Sequence, residues 1–118
     1  MAVNRSDSVR YQENKSRARS LALELVEKYR TSYPFPYNKI TIRNQKTRWG
    51  SCSKAGNLNF NFRIIFLPPH LADYLVVHEL CHLRQFNHSE KFWQLIGQVV
   101  PDFMKCRREL KLINIRRI

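Results

Sequence analysis

An α+β fold is predicted by three observations. One long amphipathic stretch lies near the N-terminus, two short alternating stretches lie in the middle, and helix-length apolar segments follow a Pro-Pro pair. Helix, then strands, then helices is the order of a small sheet with segregated helices, not of a wound parallel sheet. A chain of 118 residues has room for one core, so residues 1–118 are expected to form a single domain, with residues 1–7 loose.

From Ser8 to Tyr29, the positions Ala18, Leu21, Ala22, Leu25, Val26 and Tyr29 recur at helical spacing. Tyr33-Pro-Phe-Pro-Tyr37 ends that helix, because proline and the residue before it resist helical geometry. Lys39-Ile-Thr-Ile-Arg43 and Leu58-Asn-Phe-Asn-Phe62 each alternate apolar and polar residues, as half-buried strands do. With Arg48–Ser53 and the Lys54-Ala-Gly-Asn57 turn between them, they predict a small antiparallel sheet of two or three strands. Pro68-Pro69 sits where a helix can start. Helices are expected from about His70 to Arg84, from about Ser89 to Val100, and from Asp102 through Phe103, Cys106, Leu110 and Ile113.

Composition limits the classes of function. Hydrophobic residues make up 43% of the chain, enough for a packed interior, and no apolar run approaches the ~20 residues of a membrane helix. The first twenty residues are polar and show no secretory signal, so a cytoplasmic location without membrane partners is expected. Cys52, Cys81 and Cys106 are odd in number, widely spaced and outside any Cys-x-x-Cys pair, as free thiols are. The net charge is +12, and residues 31–66 hold six Lys or Arg and no acid. Such a field suits nucleic acid, phosphorylated ligands or acidic protein segments, although charge by itself names no chemistry.

The segment that carries chemistry is His78-Glu79-Leu80-Cys81-His82. Histidines four apart on a helix lie on one face, so His78 and His82 can each place a nitrogen at roughly 2.0–2.1 Å from one zinc ion. Glu79 reaches the rim of that site and can accept a proton from a zinc-bound water. Catalytic zinc usually takes three protein ligands, and His88 is the candidate third. It is too far along for the same helical face, so the helix must end before it. Asn87 is the residue there that most readily accepts a left-handed turn, and Ser89-Glu90 restarts a helix. His70, just after Pro68-Pro69, reads as a surface residue at a helix end.

A second cluster is Arg48, Trp49, Ser51 and Ser53. Arg48 could stabilise developing oxyanion charge or bind a substrate carboxylate or phosphate. In the competing structural reading Trp49 fills the core and Gly50-Ser51 makes a turn. Arg48, Trp49, Ser51 and Asn59 are the candidate substrate-binding residues. Phe92 and Trp93 read as core.

These segments together resemble the YgjP-like metallopeptidase domains, zincins related more distantly to the SprT-like and WLM groups. The matching stretches are Lys46–Ser53, Gly56–Phe60, Pro68-Pro69, Asp73–Leu83, Asn87–Ser89, Phe92-Trp93 and Pro101-Asp102. The resemblance implies a zincin-like fold, with one zinc on His78, His82 and His88 and Glu79 as general base. The third-histidine spacing is shared with the metzincins, but Gln85 stands where those place glycine, and Met104 lies in a predicted helix.

The leading expectation is therefore a zinc-dependent metallopeptidase acting on a peptide or protein, with the strand Leu58–Phe62 offering an edge to an extended substrate. Two rivals differ in class. One is a zinc hydrolase of nucleotides or other phosphorylated substrates. The other is a basic nucleic-acid-binding module with structural zinc; a combined reading is a peptidase recruited to DNA or RNA by charge.

Overall fold

The structure, a computed structural model, describes residues 6–118. Helix α1 spans Asp7–Tyr29, and the Ser6 hydroxyl accepts a hydrogen bond from the Val9 amide at 3.2 Å as its N-cap. Order thus begins earlier than expected at Ser6 and Asp7; the rest of the expected loose segment, residues 1–5, lies outside the described residues. Strands β1 (Lys39–Arg43), β2 (Gly50–Cys52) and β3 (Asn57–Asn61) follow, then a 3-10 turn at Phe62–Phe66. Helices α2 (Pro69–His82), α3 (Glu90–Gly97) and α4 (Phe103–Leu112) complete the α+β fold, with a last 3-10 turn at Ile115–Arg117.

The sheet corrects one expectation. Its order is β1-β3-β2, with β2 and β3 antiparallel but β1 and β3 parallel, Lys39 opposite Asn57. Alternation fixes which face of a strand is buried and leaves its direction open. Direction is set by contacts at the strand starts. The Asn38 amide donates to the Gly56 carbonyl at 2.7 Å, and Asn38 Nδ2 donates to Asn57 Oδ1 at 2.8 Å. Between β2 and β3, Gly56 takes φ +85°, a conformation costly for residues with a Cβ, and its amide donates to the Ser53 carbonyl at 2.9 Å. β3 is therefore central and paired on both sides, so it has no edge for a substrate; β1 and β2 are the outer strands.

Ile40, Ile42, Leu58 and Phe60 point into the core, where α1 contributes Ala18, Ala22, Leu25 and Val26. Helix α2 lies inside this assembly and is buried on nearly every side, which explains why its sequence is apolar all round. Among the described residues, the one fully buried cation is Arg63, at 1% exposed. Its Nη2 donates to both Asp7 carboxylate oxygens at 2.7 Å, and its Nη1 donates to Asn44 Oδ1, the Gln45 carbonyl and Asn61 Oδ1, each at 3.2 Å. Its Nε donates to the Ile118 carbonyl at 3.3 Å. One guanidinium thus ties together the start of α1, the β1–β2 loop and the chain end. Arg63→Ala is expected to lower stability by about 3–5 kcal/mol, read by urea unfolding, because it strands these acceptors. A loss under 1 kcal/mol would mean that the network adds little.

Candidate metal centre

Helix α2 supplies His78 and His82 one turn apart, and its last hydrogen-bonded turn closes at Leu83. The chain then reverses with amides of Arg84 and Gln85 both donating to the Cys81 carbonyl, at 3.1 and 2.9 Å. Among the described residues no non-glycine residue has positive φ, so the reversal is made without the left-handed turn expected at Asn87. A run of ordinary bends does the same work before Ser89 caps α3. His88 arrives beside the other two histidines.

The three Nε2 atoms converge: His82 to His88 is 3.0 Å, His82 to His78 is 3.2 Å, and His88 to His78 is 3.4 Å. The tautomers follow from the second nitrogen of each ring. A carbonyl can only accept, so His82 Nδ1–H donates to the Gln85 carbonyl at 2.9 Å and leaves Nε2 as a bare lone pair. His78 Nδ1 lies 3.3 Å from the Tyr74 hydroxyl, which accepts its proton when Nε2 faces the cluster. Burial pushes His78 down to about 3, helped by His82, His88 and Arg107, and burial also lowers His82 and His88. These shifts favour the neutral form of each ring at pH 7. Nitrogen donors on a tetrahedral ion at 2.0–2.1 Å lie about 3.3 Å apart, so this donor set fits a zinc-sized cation with one face left open.

Aromatic packing fixes the rings. Phe92 is fully buried and stacks on His82 at 4.3 Å between centroids. Trp93 lies 5.6 Å from His88 and 6.1 Å from His78, and Phe103 of α4 stacks on it at 5.3 Å. The two aromatics read from sequence as core are therefore also the wall of the site.

Glu79 is 4% exposed and lines a cleft of about 510 Å³ with His78, His88, Trp49 and Gly50. Burial raises its carboxyl to about 8, while Arg48 nearby favours the charged form. A Cβ added at Gly50 would lie 3.0 Å from the Asn59 carbonyl oxygen and 3.1 Å from Glu79 Oε2. Glycine is required there by the close approach of β2 to the carboxylate. Gly50→Ala is expected to keep its metal yet lose about 1–3 kcal/mol of stability, with activity falling as Glu79 is displaced. Unchanged activity in a peptide assay would show that Glu79 tolerates the shift.

Of the four candidate substrate residues, Trp49 lines the cleft and also closes the core at 9% exposed. Arg48 is exposed near Glu79. Ser51 pairs across the sheet with Asn59, and Asn59 Nδ2 donates to Ser51 Oγ at 3.2 Å. That pair lies on the sheet face opposite Phe60 and Gly50, away from α2 and outside the cleft lining. His70 is exposed and pairs with Glu109 at 2.7 Å.

Sequence reasoning missed Tyr74, Asn61 and Arg107. Tyr74 precedes His78 by one helical turn, a spacing that could have flagged it. Asn61 Nδ2 donates to the Gln45 and Arg48 carbonyls at 2.6 and 3.1 Å and so shapes the loop along the cleft. Arg107 comes from α4, and nothing local in the sequence links it to α2.

A family model described as YgjP-like, metallopeptidase domain matches residues 5–112. No curated protein matches. Among solved structures, the fold is similar to the metallopeptidase zymogen abylysin of Pyrococcus abyssi, at 24% identity and TM-score 0.67, covering 77% of this chain and 94% of that one. It is also similar to the metallopeptidase zymogen jannalysin of Methanocaldococcus jannaschii, at 24% identity and TM-score 0.63, covering 78% and 97%. No helix among the described residues is long and apolar enough to cross a membrane.

Proposed function

The chain belongs to the YgjP-like metallopeptidase domain family, and we propose on that footing that residues 1–118 form one zinc-dependent peptidase domain. In this reading His78, His82 and His88 hold the ion, and Glu79 is the general base. The observation that carries it is the convergence of three neutral Nε2 atoms, none farther than 3.4 Å from the next, beside a buried carboxylate. Imidazole donors suit zinc among the common divalent ions. When bound, the ion supplies Lewis acidity towards a substrate carbonyl and towards water.

The chain's own groups do the rest. Tyr74 and the Gln85 carbonyl orient His78 and His82 by holding their Nδ1 protons. Glu79 takes a proton from the attacking water and delivers it to the leaving amine nitrogen. The burial that raises its carboxyl also makes its ionised form a stronger base than an exposed carboxylate. Arg48 stands by to balance negative charge near Glu79. β2, an outer strand whose Gly50 touches Glu79, can take an extended peptide along its unpaired side. Cys52, Cys81 and Cys106 are unpaired, which suits a reducing, cytoplasmic setting.

The test is metal content of the purified protein together with cleavage of an unstructured protein such as casein. About one zinc per chain, with cleavage abolished by chelator and restored by zinc, is expected. Protein that takes up no divalent ion when supplied would end the reading.

A further inference from the structure

Resting on that peptidase reading, we infer that the cleft selects substrates carrying an acidic side chain near the cleaved bond, with Arg107 and Lys111 as specificity-determining residues. The cleft runs from His78, Glu79 and His88 to α4, where Arg107 and Lys111 line it one helical turn apart. Lys46, from the β1–β2 loop, lines it too.

Arg107 belongs to the centre electrostatically, since its charge acts on both His78 and His88. Its guanidinium lies 5.4 Å from the Trp93 ring centroid, so it is held by a ring face and keeps its N–H edge for other partners. Among the described residues, ion pairs engage Lys28, Arg30, Lys46, Arg63 and His70, and none reaches Arg107 or Lys111. Lys46 shares Asp7 with Arg63, so one carboxylate faces two cations. Among the described residues, the only acid lining the cleft is Glu79, which is buried and, in the proposed reading, given to proton transfer.

A cleft with this imbalance attracts negative charge, and a divalent ion on the histidines adds to the field. Arginine presents a planar fork that matches a carboxylate. Between the cations the lining is apolar, with Trp49, Leu75, Leu110 and Ile113. That alternation fits a peptide, whose side chains cover apolar wall while one carboxylate meets Arg107. A polyphosphate backbone would leave the apolar wall uncovered.

The experiment is fluorescence anisotropy of dye-labelled decapeptides that differ only in a central Glu or Gln, on full-length Glu79→Gln protein, with zinc and with chelator. The Glu peptide is expected to bind at least about tenfold more tightly in both conditions, with affinity falling as salt rises. Adding Arg107→Gln and Lys111→Gln should erase the preference, and Arg107→Lys with Lys111→Arg should keep most of it. Circular dichroism of both variants separates a binding change from misfolding. Equal binding of the two peptides, a preference seen only with zinc, or one that survives the double Gln change overturns the proposal. So does displacement of the Glu peptide by a single-stranded oligonucleotide at lower concentration than by unlabelled Glu peptide, which would give the cleft to nucleic acid. Because no cleavage is read, failure of the wild type to hydrolyse peptides leaves this outcome separately interpretable.

Discussion

Glu79→Gln is expected to bind metal like the unsubstituted chain and to hydrolyse peptides about 10²- to 10⁴-fold more slowly. Glutamine keeps the shape against Gly50 but cannot accept and return a proton. Glutamine needs no proton to stay neutral where the side chain is 4% exposed, so the metal-free fold should gain, not suffer. The pH dependence of the metal-free protein carries the same signature. Burial raises the folded-state carboxyl from 4.5 to about 8. Between those values the folded chain keeps a proton that the unfolded chain has released, so this group lowers stability as pH rises from about 4.5 to about 8. The three histidines, whose values are lowered, contribute the opposite slope below about 6.5 in both proteins, so the difference between the two is what reports on Glu79. In thermal melts in chelator the advantage of Glu79→Gln over the unsubstituted protein should grow from about pH 4.5 to about pH 8. Activity within tenfold of normal for the variant would remove Glu79 from the proton path.

His82→Ala is expected to cost more than about 100-fold in zinc affinity, beyond what loss of an outer partner alone removes. His82 is the best-oriented of the three rings. The Gln85 carbonyl fixes its tautomer at 2.9 Å, and Phe92 stacks on it at 4.3 Å. Truncation removes a donor and opens a gap beside a fully buried phenylalanine, so stability should also fall by about 2–4 kcal/mol. Calorimetric zinc titration measures the first effect and denaturant unfolding in chelator the second. Zinc binding of normal affinity in His82→Ala would mean that other atoms hold the ion.

Much of the centre was legible because its rule is local. His78 and His82 share a face by helical spacing alone, Glu79 is their neighbour, and Ser89-Glu90 marks a helix start on the far side of His88. Pro68-Pro69 and the Tyr33–Tyr37 prolines fixed helix limits through backbone sterics, and α1 and α2 came out within a few residues of expectation. Phe92 and Trp93 were readable as buried, but burial and site wall look alike in a periodicity.

What remained hidden depends on which segments meet. Strand direction was invisible in alternation, and the parallel β1–β3 pairing comes from Asn38 meeting Gly56 and Asn57. That pairing put β3 in the centre, took away its edge, and turned Ser51 and Asn59 from the cleft. Asp7 and Arg63 are 56 residues apart yet share two hydrogen bonds, and Arg107 joins the histidines because α4 packs against α2 and Trp93 faces its guanidinium. By itself, the sequence determined the α+β class and the shared face of His78 and His82, because helix periodicity acts over one or two turns. The tertiary structure alone decided sheet order, ring tautomers and the charge lining the cleft, because those arise from contacts between residues far apart in the chain.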